Sequence, residues 1–459
     1  MDFLKDAALP QSLEHFRLLL FVLNVVFVIF FPYAGYLLGA SFFSYRYNLR
    51  GRRDADPLSQ RFARDLIDTA VFSKSGVAFL AVLPALALVF LYAQILQGTP
   101  AIAVGLMGFG FFAILAAGIL LYTHRFTFDL AGILARYRSL ARTGGDAPDI
   151  SSYAERNDAT HLKAGRYGLL LLLLGVIMAI GAATIAADTE SWSSVGNVFQ
   201  LLIGPLFLTR LLTFFALATG STGVTVLFVF LSWQGGVPDR TPEYESLIRR
   251  FGVRLALIGM LALPPLVVAG YALSTPPSLS GLLYLLGGLA LLLVFGAANF
   301  VYAFRRDGET RYAAYAFFAL ALGVILFATR DQMAIANATR LQAEQLSVSY
   351  EREVEALKTR LGVALIVMSG KEIYDAKCSA CHLFDQKKVG PPYMTVIPKY
   401  RGKKAELVGF ILNPGKVDPA YPNMPNQGLR PAEADSIATF LLTKFGASGA
   451  TAPTEGGKQ

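Results

Sequence analysis

The sequence predicts an all-α membrane protein: an eight-helix transmembrane bundle followed by a small α-helical domain. Three observations carry that prediction. Of the 459 residues, 54% are apolar and 16% charged, whereas an ordinary soluble domain has about 25% charged residues. The apolar residues gather into eight stretches long enough to cross a hydrocarbon core, which takes about 20 residues of helix. The C-terminal part departs from this pattern: it is polar and charged, and it holds both cysteines of the chain.

The spans run approximately over residues 16–42, 76–97, 101–123, 167–187, 206–233, 252–273, 280–304 and 311–329. The stretch 188–205, DTESWSSVGNVFQLLIGP, reads as an interfacial approach to the fifth span, ending at Pro205. The opening MDFLKDAALPQSLEHF has no basic segment ahead of a short apolar core. No cleavable signal peptide is therefore expected, and the first span stays in the membrane.

Charge gives the orientation, because short loops rich in Lys and Arg stay on the cytoplasmic side. The loop after span 1 carries Arg46, Arg50, Arg52, Arg53, Arg61, Arg64 and Lys74. The loop after span 3 carries Arg125, Arg136, Arg138, Arg142, Arg156, Lys163 and Arg166, and the loops after spans 5 and 7 add further arginines. The alternate loops, 98–100, 188–205 and 274–279, contain no Lys or Arg. This pattern predicts a multi-pass protein of a bacterial cytoplasmic (inner) membrane, with the N-terminus and everything after span 8 on the periplasmic side. It also accounts for the net charge of +9, so nucleic acid is not an expected partner.

Residues 1–330 thus form the transmembrane domain. Residues 331–366, free of Gly and Pro until Gly362 and rich in helix formers, read as a helical connector. A compact domain follows over 367–446, and the tail 447–459, small and polar, is expected to be disordered.

The chemistry lies in Cys378-Ser379-Ala380-Cys381-His382. C-x-x-C-H is the attachment site of a c-type haem: two thiols add to the porphyrin vinyl groups, and the adjoining histidine becomes an axial ligand. C-x-x-C alone is shared with redox dithiols and half zinc sites, but a structural zinc needs four ligands and no second Cys/His pair lies nearby. A methionine opposite the histidine gives an iron suited to electron transfer. The candidates are Met394, twelve residues after His382, and Met424, 42 residues after it in YPNMPNQG. Lys387, Lys388, Lys399, Lys403 and Lys404 gather after the motif; they read either as a docking surface for an acidic partner or as an ordinary solvated face.

Here the sequence resembles the class I cytochrome c family over about 80 residues: GKEIYDAKCSACH, then GPP at 390–392, then the methionine loop, then PAEADSIATFLLTKF. The resemblance implies that His382 and Met424 ligate iron, and that the Pro391 carbonyl orients the imidazole. It also implies that the first and last helices pack, pairing Gly370 and Tyr374 with Ile437, Phe440 and Leu441.

The membrane part resembles subunit I of cytochrome bd quinol oxidases over about residues 10–335, through EHFRLLLFVLNVVFVIFFPYAGYLLG, AIAVGLMGFGFFAIL and LLIGPLFLTRLLTFFALATGSTG. The resemblance implies a haem b at His15, whereas the residues alone read it as an interfacial histidine at a helix start. The departures are larger: Thr213 stands at the family's fifth-helix histidine, span 7 holds no methionine, the quinol-binding loop has shrunk to STPPSLSG, and a ninth span is missing. His124 and His161 fall in a basic loop, where solvated roles are expected. Buried charge reads as scarce, with Arg210 and Arg254 near span ends and able to snorkel.

The expectation is a membrane-anchored monohaem c-type cytochrome that carries electrons as a subunit of a larger respiratory complex, with other membrane subunits, lipid and a redox protein as partners. The alternative is the catalytic subunit of a cytochrome bd-like oxidase or quinol-oxidising complex, with the c haem as its electron port. Pyridine haemochrome spectra of the isolated chain separate them. Haem c alone is the expected result, and b or d haem in the purified chain identifies the alternative.

Overall fold

A computed structural model describes residues 10–141, 148–360 and 368–445. Every regular element among these residues is helical. The contacts divide the chain into two compact units, one over Arg17–Arg340 and the other from Leu341 onwards with the short segment ending at Phe16.

Among the described residues, the first unit holds eight helices long and apolar enough to cross a membrane. They are α1 (Leu13–Arg53), α3 (Lys74–Ile95), α4 (Ala103–Ala141), α5 (Pro148–Ala186), α6 (Pro205–Leu231), α7 (Pro242–Leu273), α8 (Gly281–Asp307) and α9 (Arg311–Ala338), with the amphipathic α2 (Pro57–Ala70) between the first two. Several helices run well past the apolar stretches. Hydropathy marks where a bilayer ends, while backbone hydrogen bonding continues through polar helix formers, so α1 reaches Arg53 and α9 reaches Ala338. In α3 the turn Ala78–Val82 is widened just ahead of Pro84, whose ring would otherwise meet the carbonyl of Leu80. The segment after α5 forms two short helical pieces, Ser191–Ser194 and Val198–Leu202.

Part of the stretch read as a basic loop after span 1 is α2. Asp56 caps it, accepting from the Leu58 N–H at 3.0 Å, and Pro57 occupies the first turn, where no N–H is needed. Phe62, Ala63, Leu66 and Ile67 on one face are buried, and Phe62 and Leu66 belong to the same core as Phe230, Tyr244 and Phe251. The helix carries the ion pairs Arg61 with Asp65 and Arg64 with Asp68, and the same carboxylates accept from the Tyr244 hydroxyl and from Arg125.

The bundle is built from hairpins. α6 is its centre: 72% of its apolar window is buried, against 28% for α1 and α8, which turn most of their surface outwards. Burial of this kind between lipid-soluble helices depends on close backbone approach rather than on hydrophobicity. In the α6–α7 pair, a Cβ on Gly259 would stand 2.2 Å from the Gly220 nitrogen.

Two expectations are corrected. His124 and His161 are not solvated loop residues. They lie on α4 and α5 with 1% and 2% exposure, because both helices continue beyond their apolar stretches and keep packing there. The imidazoles stack at 4.1 Å; His161 Nδ1 lies 2.8 Å from Thr127 Oγ1, and its Nε2 lies 3.0 Å from Asn48 Nδ2. Nor is charge scarce inside the bundle. Arg210 does not snorkel: its guanidinium donates to the Ala183 carbonyl at 3.2 Å and, with Thr213, borders two small cavities that Arg330 and Asp331 also line. An arginine on a helix face covered by other helices has no lipid boundary to reach, so it pairs internally. Arg254, on the outer face of α7, remains exposed.

The second unit contains α10 (Arg340–Arg360), which occupies most of the stretch read as a helical connector. After it come α11 (Gly370–Ile373), which widens into a turn over Tyr374–Cys378, then α12 (Tyr393–Val396), α13 (Lys404–Leu412) and α14 (Pro431–Phe445). The expected connector end at 361–366, the domain limits at 367 and 446 and the tail 447–459 lie outside the described residues. Ser369 and Glu372 form a reciprocal cap that starts α11. Ile373, Ile397, Leu407, Ile411, Ile437 and Leu441 make the core. α11 crosses α14 closely, since a Cβ on Gly370 would meet the Phe440 Cβ at 2.5 Å.

Gly259→Val is expected to destabilise the detergent-solubilised bundle by about 3 kcal/mol, as overpacking against backbone does. Gly288→Val, where a side chain would meet open space, should change stability by no more than about 0.5 kcal/mol in the same denaturation measurement.

Candidate functional site

Local backbone structure puts the motif on one wall. The widened turn ends at Cys378, whose carbonyl accepts from both the Cys381 N–H (3.1 Å) and the His382 N–H (2.9 Å). The chain then loops out and returns, so that the Val389 and Gly390 N–H groups donate to the Cys381 carbonyl at 3.2 and 2.8 Å. This return sets Gly390-Pro391 against the imidazole.

The His382 ring is restrained on several sides. Its Nδ1 lies 2.9 Å from the Pro391 carbonyl oxygen. A carbonyl only accepts, so Nδ1 carries the proton and Nε2 keeps its lone pair. The Tyr374 hydroxyl donates to the His382 carbonyl at 3.1 Å. The Tyr393 ring stacks on the imidazole at 4.8 Å with 6° between planes. A Cβ on Gly390 would stand 2.3 Å from His382 Cε1, so the ring occupies space that only glycine leaves. The two thiols are not joined to each other, and burial pushes the Cys378 thiol up, against the opposing effect of a hydrogen bond with Tyr393.

In front of this wall lies a cavity of about 220 Å³, with a smaller one of about 60 Å³ opening beside it. Cys378, His382, Pro391, Tyr393 and Met424 line both, and Cys381 lines the smaller. Apolar side chains such as Ile397, Phe410, Ile411 and Leu441 form the depth of the larger one. Met424 therefore shares the cavity with His382, whereas Met394 is 51% exposed and lines neither. The loop carrying Met424 is pinned beyond it: Asn426 Nδ2 donates to the Leu412 carbonyl, and the Gly428 N–H, at φ +63°, donates to Asn426 Oδ1. Two thiols and an imidazole on one wall, a thioether on the loop and an apolar slot between them fit a covalently held haem.

The lysines divide. Lys403 pairs with Glu406 and Lys404 with Asp435. Lys388 donates to the Ser379 carbonyl, and Lys387 lies over the Tyr421 ring. Lys399 lines the larger cavity together with Lys416, and Lys377 lines the smaller. Lys416 and Lys377 were not singled out from the sequence. Neither were Tyr393 and Gln427, which line the cavities, and Tyr374, expected only to pack on the last helix, also braces His382; the tyrosine directly after GPP was the available signal for Tyr393.

His15 lies exposed in the first turn of α1, its N–H donating to Ser12 Oγ at 3.2 Å, and it lines none of the cavities described above. Thr213 returns its hydroxyl to the Thr209 carbonyl. Arg330 and Asp331 form a 2.6 Å ion pair, and the Arg330 guanidinium lies over Tyr271 and Phe327 at 5.4 Å each.

Residues 367–444 match the family model described as "Cytochrome c". Cytochrome c-552 of Hydrogenobacter thermophilus is 36% identical over 87 residues, 18% of this chain and 89% of that protein. Cytochrome c-551 of Azotobacter vinelandii is 34% identical over 79 residues, covering 16% of this chain and 96% of the relative. Cytochrome c-551 of Pseudomonas denitrificans is 36% identical over 81 residues, again 16% and 96%. No solved structure matches the chain. With the geometry above, these relatives establish that the chain belongs to the cytochrome c family through its C-terminal domain, a haem c electron-transfer module carried on a chain with eight membrane-length helices.

Proposed function

We propose that this protein is a membrane-anchored monohaem c-type cytochrome, carrying electrons on the periplasmic side of a bacterial cytoplasmic membrane as a subunit of a larger respiratory complex. The observation that carries the reading is the imidazole of His382, held by the Pro391 carbonyl with Nε2 free, in the same cavity as Met424 and both thiols. Cys378 and Cys381 attach the haem, His382 and Met424 ligate its iron, and Pro391 orients His382. When bound, the haem supplies a one-electron couple. The protein's part is to fix both ligands so that little rearranges between oxidation states, and to keep water from the buried face with Ile397, Ile411 and Leu441. The basic loops support the orientation, and eight spans exceed what an anchor requires, which supports membrane partners.

Lys377, Lys399 and Lys416 around the cavity, with Lys387 beside it, support docking of an acidic redox partner. The alternative of a cytochrome bd-like oxidase or quinol-oxidising subunit is favoured by one observation, the ionic cluster of Arg210, Arg330 and Asp331 inside the bundle. A haem b on His15 belongs to that alternative and takes its second ligand from another helix or chain.

Gentle purification from the native membrane tests the complex: respiratory subunits should accompany the chain, and its c haem should be reduced and reoxidised with them. A chain that purifies alone and exchanges no electrons with the respiratory chain sinks the reading. Met424→Ala should abolish the weak long-wavelength absorption band of methionine-ligated ferric haem and lower the reduction potential, while Met394→Ala keeps both. Lys399→Glu combined with Lys416→Glu should slow association with an acidic partner about tenfold at low ionic strength, the difference shrinking as salt is added.

A further inference from the structure

Tyr393 makes the closest planar contact with the imidazole of His382, and it is itself firmly held. Its N–H donates to the Leu383 carbonyl at 3.1 Å. Its buried ring stands against Tyr374 at 6.1 Å and Phe445 at 6.5 Å. Phe445 closes α14, and Tyr374 begins the widened turn that ends at Cys378, so the ring is wedged between the two ends of the domain's sequence.

The Pro391 carbonyl fixes one atom of the imidazole, Nδ1. A ring tethered at one point still tilts and turns about that tether. A flat neighbour at stacking distance with 6° between the planes removes this freedom. Gly390 leaves the room that this ring position requires.

The geometry points to Tyr393 as the positioning residue whose ring sets the plane of the His382 imidazole. This rests on His382 being an iron ligand, as proposed above. The imidazole plane selects which iron d orbitals the ligand mixes with. It therefore governs how unpaired spin spreads over the porphyrin in the ferric protein, a property separate from whether the haem is bound at all.

The test uses the full haem-loaded chain in detergent, oxidised, read by the proton NMR shifts of the haem methyl groups and by the anisotropy of the ferric EPR signal. Tyr393→Phe, which keeps the ring, should reproduce the wild-type methyl order and g-values. Tyr393→Leu and Tyr393→Met, which remove the plane, should change the methyl order or spread and broaden the EPR signal, with the visible spectrum still that of a low-spin c haem. An unchanged methyl pattern in the Leu and Met variants, or an altered one in Tyr393→Phe, overturns the assignment. If neither the Leu nor the Met variant loads haem, the wild type decides: proton contacts between the Tyr393 and His382 rings support the assignment, and their absence overturns it. The parent reading fails separately, if His382→Ala retains the low-spin spectrum.

Discussion

The C-terminal site is organised around one hydrogen bond, from His382 Nδ1–H to the Pro391 carbonyl. It decides the tautomer, and the tautomer decides that Nε2 faces the cavity as a donor of electrons rather than of a proton. A bond of this kind contributes only about 1 kcal/mol net, too little to hold a ring against thermal motion. The surrounding structure supplies the rest. The return loop to the Cys381 carbonyl brings Pro391 within reach, Gly390 leaves the space, and Tyr374 and Tyr393 brace the residue from its carbonyl and its face. Removing the loop's two anchoring N–H groups would leave the hydrogen bond without an acceptor in place.

The C-x-x-C-H spacing is legible because the porphyrin imposes it, whatever fold surrounds it. Met424 was proposed from its distance from His382 and its place before a helix, and it lines the same cavity as His382. Tyr393 was not, because stacking joins residues that pattern does not relate: the return of the chain at Gly390 had to be seen first. In the membrane unit, hydropathy located the eight spans but not their ends, since a helix continues wherever its backbone is satisfied. That is why His124 and His161 read as loop residues and prove to be packed between α4 and α5. Arg210 was misjudged for a related reason. Depth along a helix can be counted from sequence, whereas the direction that a side chain faces depends on neighbouring helices.

The two units set different physical problems. In the domain, a small core of Ile373, Ile397, Ile437 and Leu441 is completed by whatever fills the cavity in front of it. In the bundle, apolar contacts are no better than those with lipid, so glycines at the α6–α7 crossing and internal polar pairs carry the specificity. The pair Arg330–Asp331 beside Arg210 is costly to bury unless fully partnered, and the aromatic faces of Tyr271 and Phe327 share in stabilising the cation.

The pairing of helices also orders assembly in time. α4 packs chiefly on α5, α6 on α7, and α8 on α9, so each hairpin's principal contacts lie within a short stretch of sequence. Such local partners are available as soon as the second helix of a pair is made. The thiol-bearing domain follows the bundle in sequence, and its first and last helices meet where α11 crosses α14. Haem attachment therefore falls after the bundle's principal pairs have been synthesised. An interruption of synthesis before α14 would leave a membrane scaffold with paired helices and an electron-transfer domain unable to close.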